Sequence, residues 1–277
     1  MSSLTSVSCD AAPYEISKWS VGAQEIPDEC AFSIFGFLPP EDLARSSCVS
    51  RQWKRLADNP VLWKLFDLQA IFREKGCVLN IIDRKVWATH VDLDAAGLQV
   101  DDISFSCRAI FPVLMQMFAS LEIEGNAGIT LLTLPPVTLR KLQTVFPTSF
   151  EDLDPLLLER HGDIAMTETR LVAMTNNILK RSRGLSFVAH KELVQGKGCE
   201  MPGITAVVAL AILTEKQSSA VPPVRLFRDS SWTYTRCAED LGNDWSVVVG
   251  DFSLSGLRVS RHFGGDMSDG VGCLRAF

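Results

Sequence analysis

The stretch Ile26–Phe66, IPDECAFSIFGFLPPEDLARSSCVSRQWKRLADNPVLWKLF, decides the fold of the N-terminal part of the chain. Its first apolar residues are spaced four apart, as on one face of an α-helix: Ile26, Cys30, Ile34 and Leu38. Acidic residues directly after Pro27 occupy the first turn, where the helix dipole favours negative charge. The pattern predicts an amphipathic helix that ends before Pro39.

The remainder of this stretch predicts further short helices. Pro40 suits the first position of a second helix, in which Leu43 faces inward. A third helix is predicted from about Val49 to Asp58, because its apolar residues recur at i, i+4 and i+7. Trp63 belongs to a last apolar turn. The N-terminal part is therefore expected to be a module of three or four short helices.

Such a module is expected to be only marginally stable by itself, because a chain below ~60 residues buries too small a fraction of its surface on folding. Its content of large apolar side chains is also high for its size. Some of these side chains are therefore expected to face a second protein. The alternative is that all of them build the interior of the module itself.

The same stretch resembles the F-box. The resemblance is carried by Ile26-Pro27, by Ile34 with Leu38, by Pro40 to Leu43, by Val49 to Trp53, and by Leu62-Trp63. Two positions depart mildly from the family pattern: Ile26 stands where leucine is more common, and Ser50 where cysteine is common. About 40 of the 277 residues take part.

The resemblance implies a function in protein recruitment. An F-box docks on a Skp-type adaptor and through it joins a cullin-RING (SCF) ubiquitin ligase, while the rest of the chain presents a target protein for ubiquitination. The F-box itself performs no catalysis. By resemblance, the expected adaptor contacts are Ile26, Pro27, Ile34, Leu38, Leu43, Val49, Trp53 and Trp63.

Composition excludes several other classes of protein. The net charge of −6 does not favour nucleic acid or anionic membranes as partners. The longest apolar run, Met201 to Thr214, is shorter than the ~20 residues that span a bilayer, and the N-terminus lacks the features of a secretory signal. The eight cysteines form no CxxC pair, so we expect no metal site, disulfide framework or cofactor, and a cytoplasmic, reducing location.

The sequence predicts an α+β protein with three regions. Residues 1–25 are expected to be a flexible leader, 26–67 the helical F-box, and 68–277 a larger mixed domain closed by a C-terminal antiparallel sheet. The predicted helices in the larger domain are Arg108–Leu121, Leu139–Phe146, Phe150–His161, Phe187–Gln195 and Ile204–Thr214. A strand and helix are predicted over 77–93, a hairpin around 125–128, and strands at Val224–Phe227, Trp232–Arg236, Trp245–Phe252 and Leu257–His262. The glycine-rich tail is expected to form turns at the sheet edge.

Three phrases in the larger domain, IEGNAGITLLTLP, GCEMPG and WTYTRCAE, resemble F-box-bearing proteins of amoeba-infecting chlamydiae. This resemblance implies a secreted bacterial effector that uses a host ubiquitin ligase in the host cytosol. It implies no biochemical activity for the domain.

Candidate sites in the larger domain are few. Exposed aromatic residues concentrate interface energy, so Trp232, Tyr234 and Trp245 are candidate target-binding residues, although core packing explains each equally well. Cys199 with His190 could form a nucleophile and base, but sequence spacing alone does not bring such partners together. We therefore expect no catalytic residue. The alternatives are a scaffold or decoy that occupies the adaptor without a ligase, and an enzyme delivered by the F-box.

Overall fold

A computed structural model of the chain describes residues 20–21, 24–25, 27–59, 62, 69, 72–73, 78–100, 128–164, 168–217, 233–253, 255–265, 271–273 and 276. Within these residues the chain divides into two compact units. Residues 20–62 belong to the first unit and 69–276 to the second.

The first unit consists of short helices behind a small hairpin. Two-residue strands pair antiparallel at its start. The elements are β1 (Ser20–Val21), β2 (Gln24–Glu25), α1 (Asp28–Phe35), α2 (Pro40–Ser46) and α3 (Arg51–Ala57). α2 begins at the second proline, where the missing backbone N–H costs no hydrogen bond.

The interior of the first unit lies where α3 meets α1 and α2. Five apolar residues are buried there: Phe35, Leu43, Leu56, Ala57 and Leu62. The half-buried Trp53 ring meets Phe35 edge-on, with ring centroids 5.0 Å apart. Ser50 caps the start of α3: its hydroxyl accepts a hydrogen bond from the backbone N–H of Trp53 at 3.1 Å.

The second unit contains two sheets with helices packed on them. In the described residues, one sheet has the order β3-β4-β6 and the other β10-β7-β8-β9-β5. The strands are β3 (Val78–Ile82), β4 (Gly128–Leu134), β5 (Phe150–Leu153), β6 (Arg170–Thr175), β7 (Tyr234–Gly242), β8 (Trp245–Ser253), β9 (Gly256–Phe263) and β10 (Val271–Cys273). The helices are α4 (Arg84–His90), α5 (Leu139–Val145), α6 (Pro155–His161), α7 (Phe187–Gln195) and α8 (Ile204–Gln217).

Helix α8 is the centre of the second unit. It contacts β4 of the smaller sheet and both β7 and β8 of the larger one. Its residues from Ala206 to Leu213 are all buried, as expected for a helix that is apolar nearly all round. The α+β class predicted from the sequence is therefore confirmed, with antiparallel strands β7, β8 and β9 in the larger sheet.

Two sequence predictions for this part of the chain need correction, and three fall outside the described residues. The predicted helix over 150–161 is strand β5 followed by helix α6, because Asp154 caps and Pro155 begins a new helix. The glycine-rich tail does more than turn: its residues 271–273 pair with β7 as an edge strand. The predicted helix over 108–121, the strand over 224–227 and the first half of the predicted hairpin lie outside the described residues.

Within the described part of the chain, no helix combines the length and apolar character that crossing a membrane requires.

Candidate functional sites

The first unit presents large apolar side chains to solvent on and beside α1. Phe37 is 89% exposed and Ile34 is 53% exposed. The two residues are one turn apart, and the backbone N–H of Phe37 donates to the carbonyl of Ile34 at 3.0 Å. Val49, in the turn before α3, is 50% exposed. Exposed apolar side chains so frequent in so small a unit are typical of a protein interaction site.

The other expected adaptor contacts lie in different environments. Pro27 is exposed, and Leu38 and Trp53 are half-buried, so all three have accessible surface. Leu43 does not: it is fully buried, because α2 packs that side chain into the unit's interior. Its expected role in adaptor contact is therefore replaced by internal support. Ile26 and Trp63 lie outside the described residues.

Polar contacts fix the orientation of α1 against α3. The carboxylate of Asp28, in the first turn of α1, accepts a hydrogen bond from the side-chain amide of Gln52 at 2.6 Å. The same carboxylate forms an ion pair with Arg55. These contacts hold α1 at one angle to α3, so Ile34 is presented in a defined position. Phe37, the most exposed of these residues, was not among the expected contacts, although its place beside the apolar stripe was a signal.

An exposed aromatic pair lies on the larger sheet of the second unit. Asn243 and Asp244 both have positive φ, as a two-residue type I′ hairpin turn requires, and Trp245 follows directly. Trp245 stands opposite Phe263 on β9, with ring centroids 6.1 Å apart in an edge-to-face arrangement. The exposed fractions are 41% for Trp245 and 47% for Phe263. The guanidinium of Arg261 lies 5.7 Å from the Trp245 ring centroid.

Tyr234, a second candidate target-binding residue, belongs to a polar cluster. Its hydroxyl donates to Asp251 at 3.0 Å, and Arg258 bridges Asp251 and Glu151 at 2.9 and 2.6 Å. Burial raises the pKa of Tyr234 to about 12, and the hydrogen bond to Asp251 acts in the same direction. The cluster joins β5, β7, β8 and β9, so Tyr234 contributes to the sheet. Trp232 lies outside the described residues.

His190 and Cys199 each bind other groups. The ring Nε2 of His190 lies 2.6 Å from the carbonyl of Ser182, and Nδ1 lies 3.4 Å from a guanidinium nitrogen of the fully buried Arg236. Burial lowers the pKa of His190 to about 4, so the ring is neutral and Nε2–H donates. The Cys199 thiol donates to the carbonyl of Lys197 at 3.3 Å. Both ring nitrogens of His190 are thus engaged by groups other than this thiol.

The remaining histidines gather no metal-ligand set. Within the described ranges, no group of three or more His, Cys, Asp or Glu side chains could hold a metal ion. Partial burial lowers the pKa of His90, and the charge of Lys216 adds to this shift. The pKa of His161 is lowered by burial and by Arg160.

The helical pattern predicts Cys30 and Cys48 at core positions of the first unit, and this prediction is wrong, because both are exposed. Both are free cysteines.

Comparison with known proteins finds similarity in the first unit. Residues 23–69 match the family model described as F-box-like. The chain is 44% identical to mouse F-box/LRR-repeat protein 5 over 50 residues, 18% of this chain and 7% of that protein. It is 46% identical to human F-box/LRR-repeat protein 12 over 44 residues, 16% of this chain and 14% of that protein.

These similarities are confined to a small share of each protein, so the chain spans well under a fifth of the length of these curated relatives. No solved structure matches the chain. The exposed apolar side chains beside α1, the helical order of the first unit and the match of residues 23–69 agree with one another. The N-terminal unit of this chain is an F-box-like domain.

Proposed function

We propose that this chain is a substrate receptor of an SCF-type ubiquitin ligase. The first unit docks on a Skp-type adaptor, which connects the chain to a cullin-RING ligase. The second unit holds a target protein so that its lysines lie close to a charged conjugating enzyme. The chain then acts by placement, because tethering raises the effective concentration of target lysines, and it performs no catalysis itself.

The exposed apolar side chains of the first unit carry this proposal. Exposed Ile34 and Phe37 add nothing to the stability of the isolated unit. In an interface, however, large apolar side chains that become buried on binding contribute most of the binding free energy. The F-box-like match at residues 23–69 supports a Skp-type adaptor as the partner. The 50-residue similarity to F-box/LRR-repeat proteins supports the same assignment.

The first test is whether a cullin accompanies the chain. When the full chain is captured from eukaryotic cells, we expect both a Skp-type adaptor and a cullin to be recovered with it, because the adaptor bridges the two. Quantitative mass spectrometry of the captured material measures their ratio. Recovery of the adaptor with no cullin would replace the receptor proposal by the alternative of a scaffold or decoy outside a ligase.

A second prediction concerns the aromatic pair on the larger sheet. Trp245→Ala is expected to weaken binding of a target by roughly thirtyfold, because truncation of a central aromatic anchor costs about 2 kcal/mol and each 1.4 kcal/mol is a factor of ten in affinity. Adaptor recovery should stay unchanged, since Trp245 belongs to the other unit. Trp245→Phe is the matched control, because it retains an aromatic ring opposite Phe263. Equal target recovery for Trp245→Ala and wild type would remove Trp245 from the target-binding surface.

We further propose that the chain works as a bacterial effector in a host cytosol. The support is the resemblance of three phrases in the second unit to F-box-bearing proteins of amoeba-infecting chlamydiae. Within the two units described here, the phrase GITLLTL forms β4 and the phrase GCEMPG leads into α8. β4 is buried throughout, and in the second phrase Cys199, Met201 and Pro202 are buried whereas Gly198 and Glu200 are exposed.

A further inference from the structure

A cavity of about 360 Å³ opens in the second unit between strand β6 and the start of α8. Its walls include three consecutive residues of β6, Arg170, Leu171 and Val172. Side chains of successive strand residues point to opposite faces of a sheet. A cavity that touches all three residues therefore borders the backbone of β6 and not one face alone; Leu134, opposite Arg170 on β4, also lines it.

The edge of β6 that borders this cavity accepts pairing from another segment. Among the residues that the structure describes, β6 is the outer strand of the sheet β3-β4-β6, and it pairs with β4 on its inner side. On its outer side Met174 forms an antiparallel bridge with Ala276. Ala276 also exchanges two backbone hydrogen bonds with Glu200, of 3.0 and 2.9 Å. The cavity wall includes both Ala276 and residues 170–172 of β6.

Charge is distributed unevenly along this edge. Glu200 lies beside Ala276 at the Met174 end, and Arg170 is at the opposite end of the strand. Glu239 adds a second carboxylate to the cavity wall. Its Oε1 accepts a hydrogen bond from the backbone N–H of Ile204, at the start of α8, at 2.8 Å.

The carboxylate of Glu239 is incompletely satisfied. Its Oε2 is buried and has no hydrogen-bond partner among the described residues. Burial raises the pKa of Glu239, which means that its negative charge is poorly stabilised in the unbound chain. A positive group placed in the adjoining cavity would stabilise that charge, because electrostatic attraction is strong where water is excluded. The apolar walls, which include Val172 and Met201, suit the aliphatic stem of a long basic side chain.

We propose that this cavity binds an extended segment of a target protein, which adds as a strand to the outer edge of β6 and directs a lysine or arginine side chain toward Glu200 and Glu239. Strand addition supplies backbone hydrogen bonds of low sequence specificity, and the carboxylates select the basic side chain. Arg170 disfavours a second basic residue at its end of the strand. The identification of the segment as part of a ubiquitination target rests on the function proposed above.

The test selects ligands for the full chain from a phage-displayed library of random heptapeptides. For wild type, we expect enrichment of lysine or arginine at one position, flanked by residues that favour extended backbone. Glu239→Gln should weaken the preference for a basic residue, because one of the two carboxylates loses its charge, while the side-chain carbonyl still accepts from the Ile204 N–H, so that α8 keeps its start. Glu159→Gln is the matched control, since Glu159 is exposed on α6 and lies outside the cavity wall.

The strongest selected peptide is then synthesised with blocked ends and titrated calorimetrically. Glu239→Gln is expected to weaken its binding about tenfold or more, the loss of one charge-assisted interaction. Replacing the basic residue of the peptide by glutamine should lower the affinity of the wild-type chain by a similar factor. The same replacement should lower the affinity of the Glu239→Gln variant little further. When the peptide amides are N-methylated one at a time, affinity should fall at every second position, where the amide faces β6. Selections without a basic residue, or equal affinities for Glu239→Gln and Glu159→Gln, would overturn the proposal.

The two proposals fail in different measurements. Loss of the peptide result while the adaptor is still captured would reject the cavity proposal alone. Peptide binding without adaptor capture would reject the receptor function and leave a basic-peptide site whose partner is not a ubiquitination target.

Discussion

Replacement of both Ile34 and Phe37 by alanine is expected to weaken binding of the chain to a Skp-type adaptor by about a thousandfold. Each residue is a large, exposed apolar side chain beside α1. Truncation of one interface anchor costs about 2 kcal/mol, and each 1.4 kcal/mol corresponds to a factor of ten in affinity. The two residues are neighbours, so their effects need not add fully. Titration of purified adaptor with each variant, followed by calorimetry, measures the loss.

The double variant should still fold, so a loss of binding can be assigned to the interface. Exposed side chains contribute little to stability, so the free energy of unfolding should change by about 0.5 kcal/mol or less per residue. Val188→Ala is a suitable control, because Val188 is 63% exposed but belongs to the second unit. It should leave adaptor affinity unchanged. A folded Ile34→Ala, Phe37→Ala variant that binds within threefold of wild type would contradict the assignment of this surface.

Leu43→Ala, by contrast, would be a poor test of the interface. Leu43 is fully buried, so its truncation creates a cavity and lowers stability by about 2–5 kcal/mol. A loss of adaptor binding would then report unfolding of the unit. Only the substitution of Phe37 tests adaptor binding without also destabilising the fold.

The helices of the first unit could be predicted because their signals are local. Four-residue spacing, Pro40 at a first helical position and the Ser50 cap each act within one or two turns. Which apolar residues remain exposed is not local. The stripe that contains Ile34 also neighbours Phe35, which is 2% exposed because α3 packs against it. Exposure therefore depends on helix packing, which spacing along one helix does not determine.

In the second unit, even more of the structure depends on contacts between residues that are distant in sequence. Residues 150–153 look helical in sequence, yet they pair with β9 about a hundred residues later in the chain. Trp245 was a candidate from its residue type, but its partner Phe263 follows only from the register of β8 against β9. The cavity beside β6 also joins segments that are distant in sequence, since Arg170, Glu200 and Glu239 meet only in the folded unit. Non-local pairing of this kind carries no short-range sequence signal.

The second unit is expected to lose stability in mild acid because of His190. This side chain is fully buried, and its Nδ1 accepts a hydrogen bond from the guanidinium of Arg236, so it has to stay unprotonated. Burial lowers the pKa of His190 from 6.5 to about 4. The unfolded chain therefore binds a proton on this residue between those values while the folded chain does not. The stabilising effect is complete above pH 6.5 and is lost progressively as the pH falls toward 4.

Its size follows from the shift in pKa. One unit corresponds to 1.36 kcal/mol, so the free energy of unfolding should fall by about 3 kcal/mol between pH 7 and 4 from this residue alone. Chemical denaturation of the full chain at a series of pH values, followed by tryptophan fluorescence, measures the slope. His161, whose pKa is also lowered, contributes in the same direction, whereas Glu239, whose pKa is raised, opposes the loss.

His190→Gln isolates the contribution of His190. The glutamine amide can still donate to the Ser182 carbonyl, which lies 2.6 Å from the histidine Nε2, but it cannot take up a proton near neutrality. The variant is expected to be less stable than wild type at pH 7.5, because the imidazole fills its site, and to show a flatter decline below pH 6.5. His161→Gln should retain most of the wild-type slope. An unchanged slope in His190→Gln would mean that the acid sensitivity of the second unit arises elsewhere, and that Arg236 tolerates a protonated neighbour.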